Sequence, residues 1–234
     1  MALKLYDLVL ENGCPMSPFV WRTKFALAHK GLPFQALPVG FSEIRDVAGG
    51  RFKTVPIIED GEEAVVDSWS IADYLDQNYA SHPPLFASPG ERGLVRFFDT
   101  WYRTAVLLPL FRLYVLDIHN GLRPADQPEF RRTREARLPD GQSLESFTLE
   151  RHKSLPAFRA GIEPLRATLR DQPFLGGERP NYADHIGFAG FLWAAAVNTA
   201  PPLEAGDPLL AWLERGFDAY DGLGRDERMR PLAA

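Results

Sequence analysis

A chain of 234 residues, 45% hydrophobic and 24% charged, has room for one large domain or two small ones, and its composition excludes the fibrous and disordered classes. Its 26 basic and 31 acidic side chains leave a formal net charge of -5, so neither nucleic acid nor an anionic membrane is an expected partner. The single cysteine, Cys14, excludes an internal disulfide and with it a bridge-stapled secreted fold.

The first residues carry no long hydrophobic leader, and cytoplasmic residence is expected. Leu3 to Leu10 reads as a strand, followed by a turn at Glu11-Asn12-Gly13. Ser17-Pro18 has the chemistry of a helix start, since serine caps an orphan amide and proline is tolerated in the first turn. Phe19 to His29 supplies the helical face, and Gly31 stops it. Phe34 to Val39 predicts a second strand; Ser42 to Lys53 is too glycine-rich for a helix. Thr54 to Glu59, the Asp60-Gly61 turn and Ala64 to Val66 predict a hairpin. Asp67 or Ser68 then caps a further helix. The predicted order is strand, helix, strand, loop, hairpin, helix.

Pro83-Pro84 and Ser88-Pro89-Gly90 punctuate a transition to longer helical patterns. This suggests a first domain over 1–83, a linker over 84–90 and an all-helical second domain over 91–234. Glu91 to Leu116 predicts a helix that Pro109 bends or divides. Pro124 to His152 is polar, and Arg131, Arg132, Arg134 and Arg137, mixed with Glu129 and Glu135, read as a solvated face. Leu155 to Leu169 predicts another helix. Phe174 to Gly177 reads as a turn, and Asn181 with Asp184 as a reciprocal capping box ahead of a helix reaching Asn198. Its apolar run, Ile186 to Val197, is shorter than the roughly 20 residues a membrane-spanning helix needs. A last helix is expected from Pro208 to Tyr220.

The five histidines have no zinc-ligand spacing and the paired glycines lack a phosphate-binding lysine, so no metal or nucleotide site is expected. Trp21, Trp69 and Trp193 read as core.

Taken in order, Ser17 to Lys24, Thr54-Val55-Pro56, Asp67 to Leu75 and Asn181 to Asp184 resemble the cytosolic glutathione transferase superfamily across nearly the whole chain. The closer resemblance, carried by Asp7-Leu8, Ser17 to Lys24 and the Phe217 to Gly224 tail, is to bacterial glutathione-dependent β-etherases that cleave lignin-derived aryl ethers, and to fungal FuA-type transferases. The resemblance implies an α/β thioredoxin-like N-terminal domain followed by an all-α C-terminal domain. It also implies glutathione as co-substrate and a homodimer. Site roles follow from the same resemblance. Ser17 would stabilise the glutathione thiolate. Val55, ahead of a cis Pro56, would bond the cysteinyl part through its backbone. Asp67 and Ser68 would meet the γ-glutamyl end, and Lys53 or Arg51 the glycyl carboxylate. Asn181 and Asp184 would cap a helix. Tyr102, Phe111 and Tyr114 could line an aromatic-substrate pocket or simply pack between helices. Cys14-Pro15-Met16-Ser17 also resembles a one-thiol redox motif, which leaves Cys14 as an alternative nucleophile for thiol-disulfide exchange. A non-catalytic ligand-binding role is the remaining alternative.

Overall fold

Leu3 and Leu5 of the first strand are buried while Lys4 between them is exposed, the alternation of a strand with one face on a core. This strand, β1 (Leu3–Leu8), is followed by helix α1 (Pro18–His29) and strand β2 (Phe34–Val39). Strands β3 (Ile57–Asp60) and β4 (Glu63–Val66) form the expected hairpin, and α2 (Ser68–Asn78) follows it. The computed structural model describes residues 3–138 and 142–234. Met1 and Ala2, with which the leader-free start was read, lie outside the described residues, as do 139–141 within the polar 124–152 stretch.

The sheet order is β2-β1-β3-β4. Strand β1 runs parallel to β2 and antiparallel to β3, and β3 is antiparallel to β4. The parallel pair requires a crossover, which α1 supplies. Between β2 and β3, the glycine-rich stretch forms only two short 3-10 turns, Glu43–Arg45 and Ala48–Gly50. This is the mixed sheet of a thioredoxin-like domain.

From Pro89 onward every longer element is helical: α3 (Pro89–Tyr102), α4 (Leu108–Gly121), α5 (Gln127–Glu135), α6 (Leu144–Leu149), α7 (Arg151–Gly161), α8 (Glu163–Leu169), α9 (Tyr182–Val197) and α10 (Leu209–Gly222). Two expectations need correction here. The single helix expected over 155–169 is two, α7 and α8, on either side of Ile162. The helix anticipated over 91–116 is divided not at Pro109 but by a π-helical turn at Arg103–Leu107. Pro109 falls in the first turn of α4, where a missing N–H costs least. Pro156, by contrast, sits in the interior of α7, beyond its first turn.

Helix α9 is buried along its whole length and forms the axis of the helical part. Two glycines let its neighbours come close. A Cβ on Gly187 would stand 2.4 Å from Trp212 Cη2, and one on Gly190 2.3 Å from the Tyr102 hydroxyl. The Tyr102 hydroxyl instead donates to the Gly187 carbonyl at 2.9 Å. Phe25 of α1 stacks on His185 and packs on Phe188 of α9, with ring centres 5.7 Å apart in each case. Arg22 of α1 pairs with Asp99 of α3 at 2.6 Å, and Tyr182 donates to the Ser68 carbonyl at 2.8 Å. Sheet side and helical side are therefore locked together by aromatic burial and by named polar bonds. Among the described residues, no helix is long and apolar enough to cross a membrane.

Candidate functional site

The start of α1 is the first component. Ser17 is its N-cap, with extended backbone and a side-chain oxygen that accepts the Val20 N–H at 3.3 Å. Pro18 occupies the first turn, as the sequence suggested. Beneath the helix, Lys24 pairs with Asp7 at 2.5 Å and lies 4.2 Å from the Trp21 ring centre. The buried Asp7–Lys24 pair thus anchors α1 to β1. Ser17 is buried, yet it lines a cavity of about 740 Å³ with Leu8, Met16, Pro18 and Phe19. Its oxygen donates to no protein acceptor among the described residues. The hydroxyl proton is free for a ligand.

Across the cavity, α4 supplies Leu108, Phe111 and Arg112, and α5 supplies Phe130 and Arg134. Asp126 sets the distance between the two walls. Buried ahead of α5, its carboxylate accepts the Phe41 and Ser42 backbone N–H groups at 3.0 and 2.9 Å. That clasp brings Phe41 edge-on to Phe130, with ring centres 5.5 Å apart. Phe111 stacks on Trp193 at 6.4 Å on the helical side.

A second group forms where β3 begins. The Asp67 N–H donates to the Pro56 carbonyl at 3.2 Å, which brings Val55 and Pro56 beside the start of α2, and the Val55–Pro56 bond is cis. Asp67 caps α2 by accepting the Trp69 and Ser70 N–H groups at 3.1 and 3.0 Å. Ser68 is buried in the first turn, where the amide ends favour an anion. Arg51 and Lys53 are exposed, and Arg51 Nε donates to the Ala48 carbonyl at 3.2 Å. None of these six residues lines the cavity that Ser17 lines.

Three expected positions are placed differently from one reading of the sequence. Tyr102 and Tyr114 are fully buried, and their hydroxyls donate to the Gly187 and Ala200 carbonyls at 2.9 and 2.7 Å. They hold helices together and do not reach the cavity; Phe111 alone of the three lines it. Cys14 does not stand at a helix start. It precedes the cap Ser17, is fully buried, and its thiol pKa is pushed up to about 11, chiefly by that burial and then by the Asp226 carboxylate. A buried thiol held protonated is a poor nucleophile, so the redox reading loses its physical basis.

Asn181 and Asp184 do form the reciprocal box at the start of α9. Asp184 also accepts the Leu175 and Gly176 N–H groups at 2.7 and 2.9 Å and the Trp212 ring N–H at 2.9 Å.

Sequence reasoning missed the cationic part of the site. Arg134 and Arg137, read as members of a solvated face, line the cavity together with Arg103 and Arg112. Arg131 and Arg132 fit that reading, since they pair with Glu135 and Glu129 at 2.9 and 2.8 Å. The available signal was the four-residue spacing of Phe130 and Arg134, which puts an aromatic ring and a cation on one helical face. Trp193, read as core, is buried but also belongs to the cavity wall. Among the described residues, no group of three metal-ligating side chains comes together.

Comparison with known proteins agrees with the two-part fold. A family model described as "Glutathione S-transferase, N-terminal domain" matches residues 12–84, and one described as "Glutathione S-transferase, C-terminal domain" matches residues 93–204. The chain belongs to the glutathione S-transferase superfamily. It is similar to the glutathione transferase GSTFuA3 of Phanerochaete chrysosporium, with 25% identity and a TM-score of 0.79 over 94% of this chain and 97% of that one. The fold is shared equally with a Ceriporiopsis subvermispora glutathione S-transferase solved in complex with glutathione, with 24% identity, a TM-score of 0.79 and the same coverage. A probable glutathione S-transferase of Glycine max is 31% identical over 174 residues, 72% of this chain. The matched stretch spans 63% of that soybean protein's length and 38% of an Arabidopsis thaliana relative's.

Proposed function

We propose that the protein is a glutathione-dependent transferase in which Ser17 stabilises the glutathione thiolate. The observation that carries this reading is the double role of Ser17: its oxygen caps α1 while its hydroxyl proton, without an acceptor among the described residues, stands beside the cavity. The peptide would lie along the β3–α2 junction, with its cysteinyl backbone bonded by Val55 beside Pro56 and its γ-glutamyl carboxylate at the amide ends of α2 beside Asp67 and Ser68. Lys53 or Arg51 would meet the glycyl carboxylate.

An ordinary cysteine thiol has a pKa of about 8.5, so a hydroxyl donating to sulfur raises the thiolate fraction near neutral pH. The sulfur lone pair then attacks an electrophilic carbon in the cavity. A carbon–sulfur bond forms, the leaving group departs with its electron pair, and the thiol proton passes to water. The aromatic wall of Phe19, Phe41, Phe111 and Phe130 supports an aryl substrate. Within this reading, the finer possibility is an α-aryloxy ketone attacked at the carbon that bears the aryloxy group, with loss of phenolate.

A homodimer is part of the proposal, supported by Leu94 and Phe97, which stand 73% and 72% exposed on α3 where a second copy would cover them. Light scattering on the eluted protein tests it. A cytoplasmic setting suits both a free thiol co-substrate and a lone reduced cysteine.

The decisive assay is glutathione-dependent turnover of α-aryloxy ketones and activated aryl halides, followed by mass analysis. A thioether product supports the transferase, and release of phenol with a glutathionyl ketone supports the ether-cleaving form. Oxidised glutathione without an adduct would sink both.

A further inference from the structure

The charge of the cavity is opposite to that of the protein. The chain carries -5 overall, yet the cavity is lined by Arg103, Arg112, Arg134 and Arg137 and by no carboxylate among the described residues. Most arginines of this molecule are paired, Arg22 with Asp99, Arg151 with Asp117 and Arg166 with Asp207 among them. None of the four cavity arginines has an ion pair within the described residues.

Three of them, Arg103, Arg112 and Arg137, are exposed and so stand at the mouth. Arg134 is half-buried and lies against the aromatic wall, its guanidinium carbon 5.4 Å from the Phe41 ring centre and 4.8 Å from that of Phe130. These cation–π contacts hold the guanidinium against the aromatic wall without using up its N–H donors. Among the described residues its one bond is from Nη1 to the Thr133 hydroxyl, at 3.3 Å. Burial and the neighbouring Arg137 both work against its charge, a cost that an anion in the cavity would relieve.

We propose that the cavity selects an aromatic electrophile that carries a carboxylate, with the phenylalanine wall holding the ring and Arg134, backed by the mouth arginines, holding the anion. This rests on the transferase reading above and names its second substrate class. Arg134 is a specificity determinant in it: a planar fork held against two aromatic rings, and matched to two carboxylate oxygens. The mouth arginines concentrate anions from solution in a low-dielectric cleft.

The test uses a matched pair of probes, 4-chloro-3,5-dinitrobenzoate and its neutral carboxamide, at saturating glutathione. In both, the thiolate forms the carbon–sulfur bond and chloride leaves with its electron pair. Each kcat/KM is divided by the uncatalysed rate so that intrinsic reactivity cancels. The carboxylate is expected to be favoured about tenfold, roughly 1.4 kcal/mol. The preference resides in KM for the aryl halide, shrinks as salt is raised, and disappears in Arg134→Met while Arg134→Lys keeps part of it. The KM for glutathione stays unchanged.

Equal efficiencies for the two probes overturn the inference, as does an Arg134→Met variant that raises KM for glutathione instead. Calorimetric titration of the two aryl–glutathione conjugates separates this failure from failure of the transferase reading. Tighter binding of the carboxylate conjugate without any turnover would keep the charge selection and discard the transferase. Equal binding would discard the selection.

Discussion

Helix α1 begins behind Ser17 and helix α9 behind Asn181, and in each a side-chain oxygen accepts backbone N–H groups of the first turn. The surroundings then diverge. At α9, Asp184 completes the box and also gathers two loop amides and the Trp212 ring N–H in a fully buried pocket. At α1, Ser17 accepts one bond of 3.3 Å, keeps its own proton and faces a cavity. A cap whose every lone pair is used inside the protein is part of the framework. A cap with a donor to spare beside empty volume is available for chemistry.

Perturbing each cap should separate the two kinds. The largest effect is expected at the closed one. Asp184→Ala strands several buried donors at once, each worth about 1–3 kcal/mol, so the urea midpoint should fall steeply or the chain should fail to fold. A loss below about 1 kcal/mol would mean that the box is dispensable. At the open cap, Ser17→Ala should lower glutathione-dependent kcat roughly a hundredfold, the scale of one lost anion-stabilising donor. It should cost only about 1 kcal/mol of stability as a lost cap. Equal damage to folding and turnover would erase the distinction between the caps.

A smaller effect concerns how α9 is held against α1 and α10. His29 Nε2 faces the Pro84 carbonyl at 3.1 Å and must donate there, so neutral His29 accepts the Tyr220 hydroxyl proton at Nδ1, 3.0 Å away. His185 Nε2 then donates to the Tyr220 oxygen at 2.9 Å. His185 is fully buried and its pKa lies well below the ordinary value, first because of burial and then because of His29. Burial lowers that of His29 as well. Below about pH 6.5 the unfolded chain binds protons that the native state refuses. Stability therefore is complete above that pH and declines as pH falls, by at most ~1.4 kcal/mol per pH unit for each histidine. His185→Gln keeps an N–H for Tyr220 and should flatten the slope between pH 6.5 and 5, measured as urea midpoints. An unchanged slope would assign the pH dependence to other groups. The smallest effect is expected for Cys14→Ala, which should leave kcat within about twofold, since the thiol is held protonated and out of contact with solvent. A large loss of turnover would restore the thiol to the mechanism.

Much of the framework was legible because it is local. Ser17-Pro18, Asp60-Gly61 and Asn181 with Asp184 each carry their own geometry within four residues, and all appear where expected. The place where α3 ends was not legible. Proline chemistry pointed to Pro109, but the π turn just before it shifts the ring into a first turn, where it does no harm. The cavity was less legible still. Its wall draws on β1, α1, the 41–42 loop, α4, α5 and α9, and periodicity shows which face of a helix is apolar without showing what stands opposite. Tyr114 and Phe111 are three positions apart on α4, yet one bonds the Ala200 carbonyl and the other lines the cavity. Arg134 looked solvated because its partners, Phe41 and a shared cavity, are remote in sequence.

The π turn at Arg103–Leu107 contributes both of its end residues to the cavity wall. A π turn holds one residue more than the α-helical turn it replaces, and each α-helical residue turns the chain by about 100°. Deleting a single residue between positions 103 and 107 would therefore leave the two halves in phase, whereas winding all five residues into unbroken α-helix would swing α3 by that angle relative to α4. Tyr102 could then no longer meet Gly187 while Phe111 still faced the cavity. The extra residue sets a phase offset between a half of the rod that packs on α9 and a half that walls the cavity.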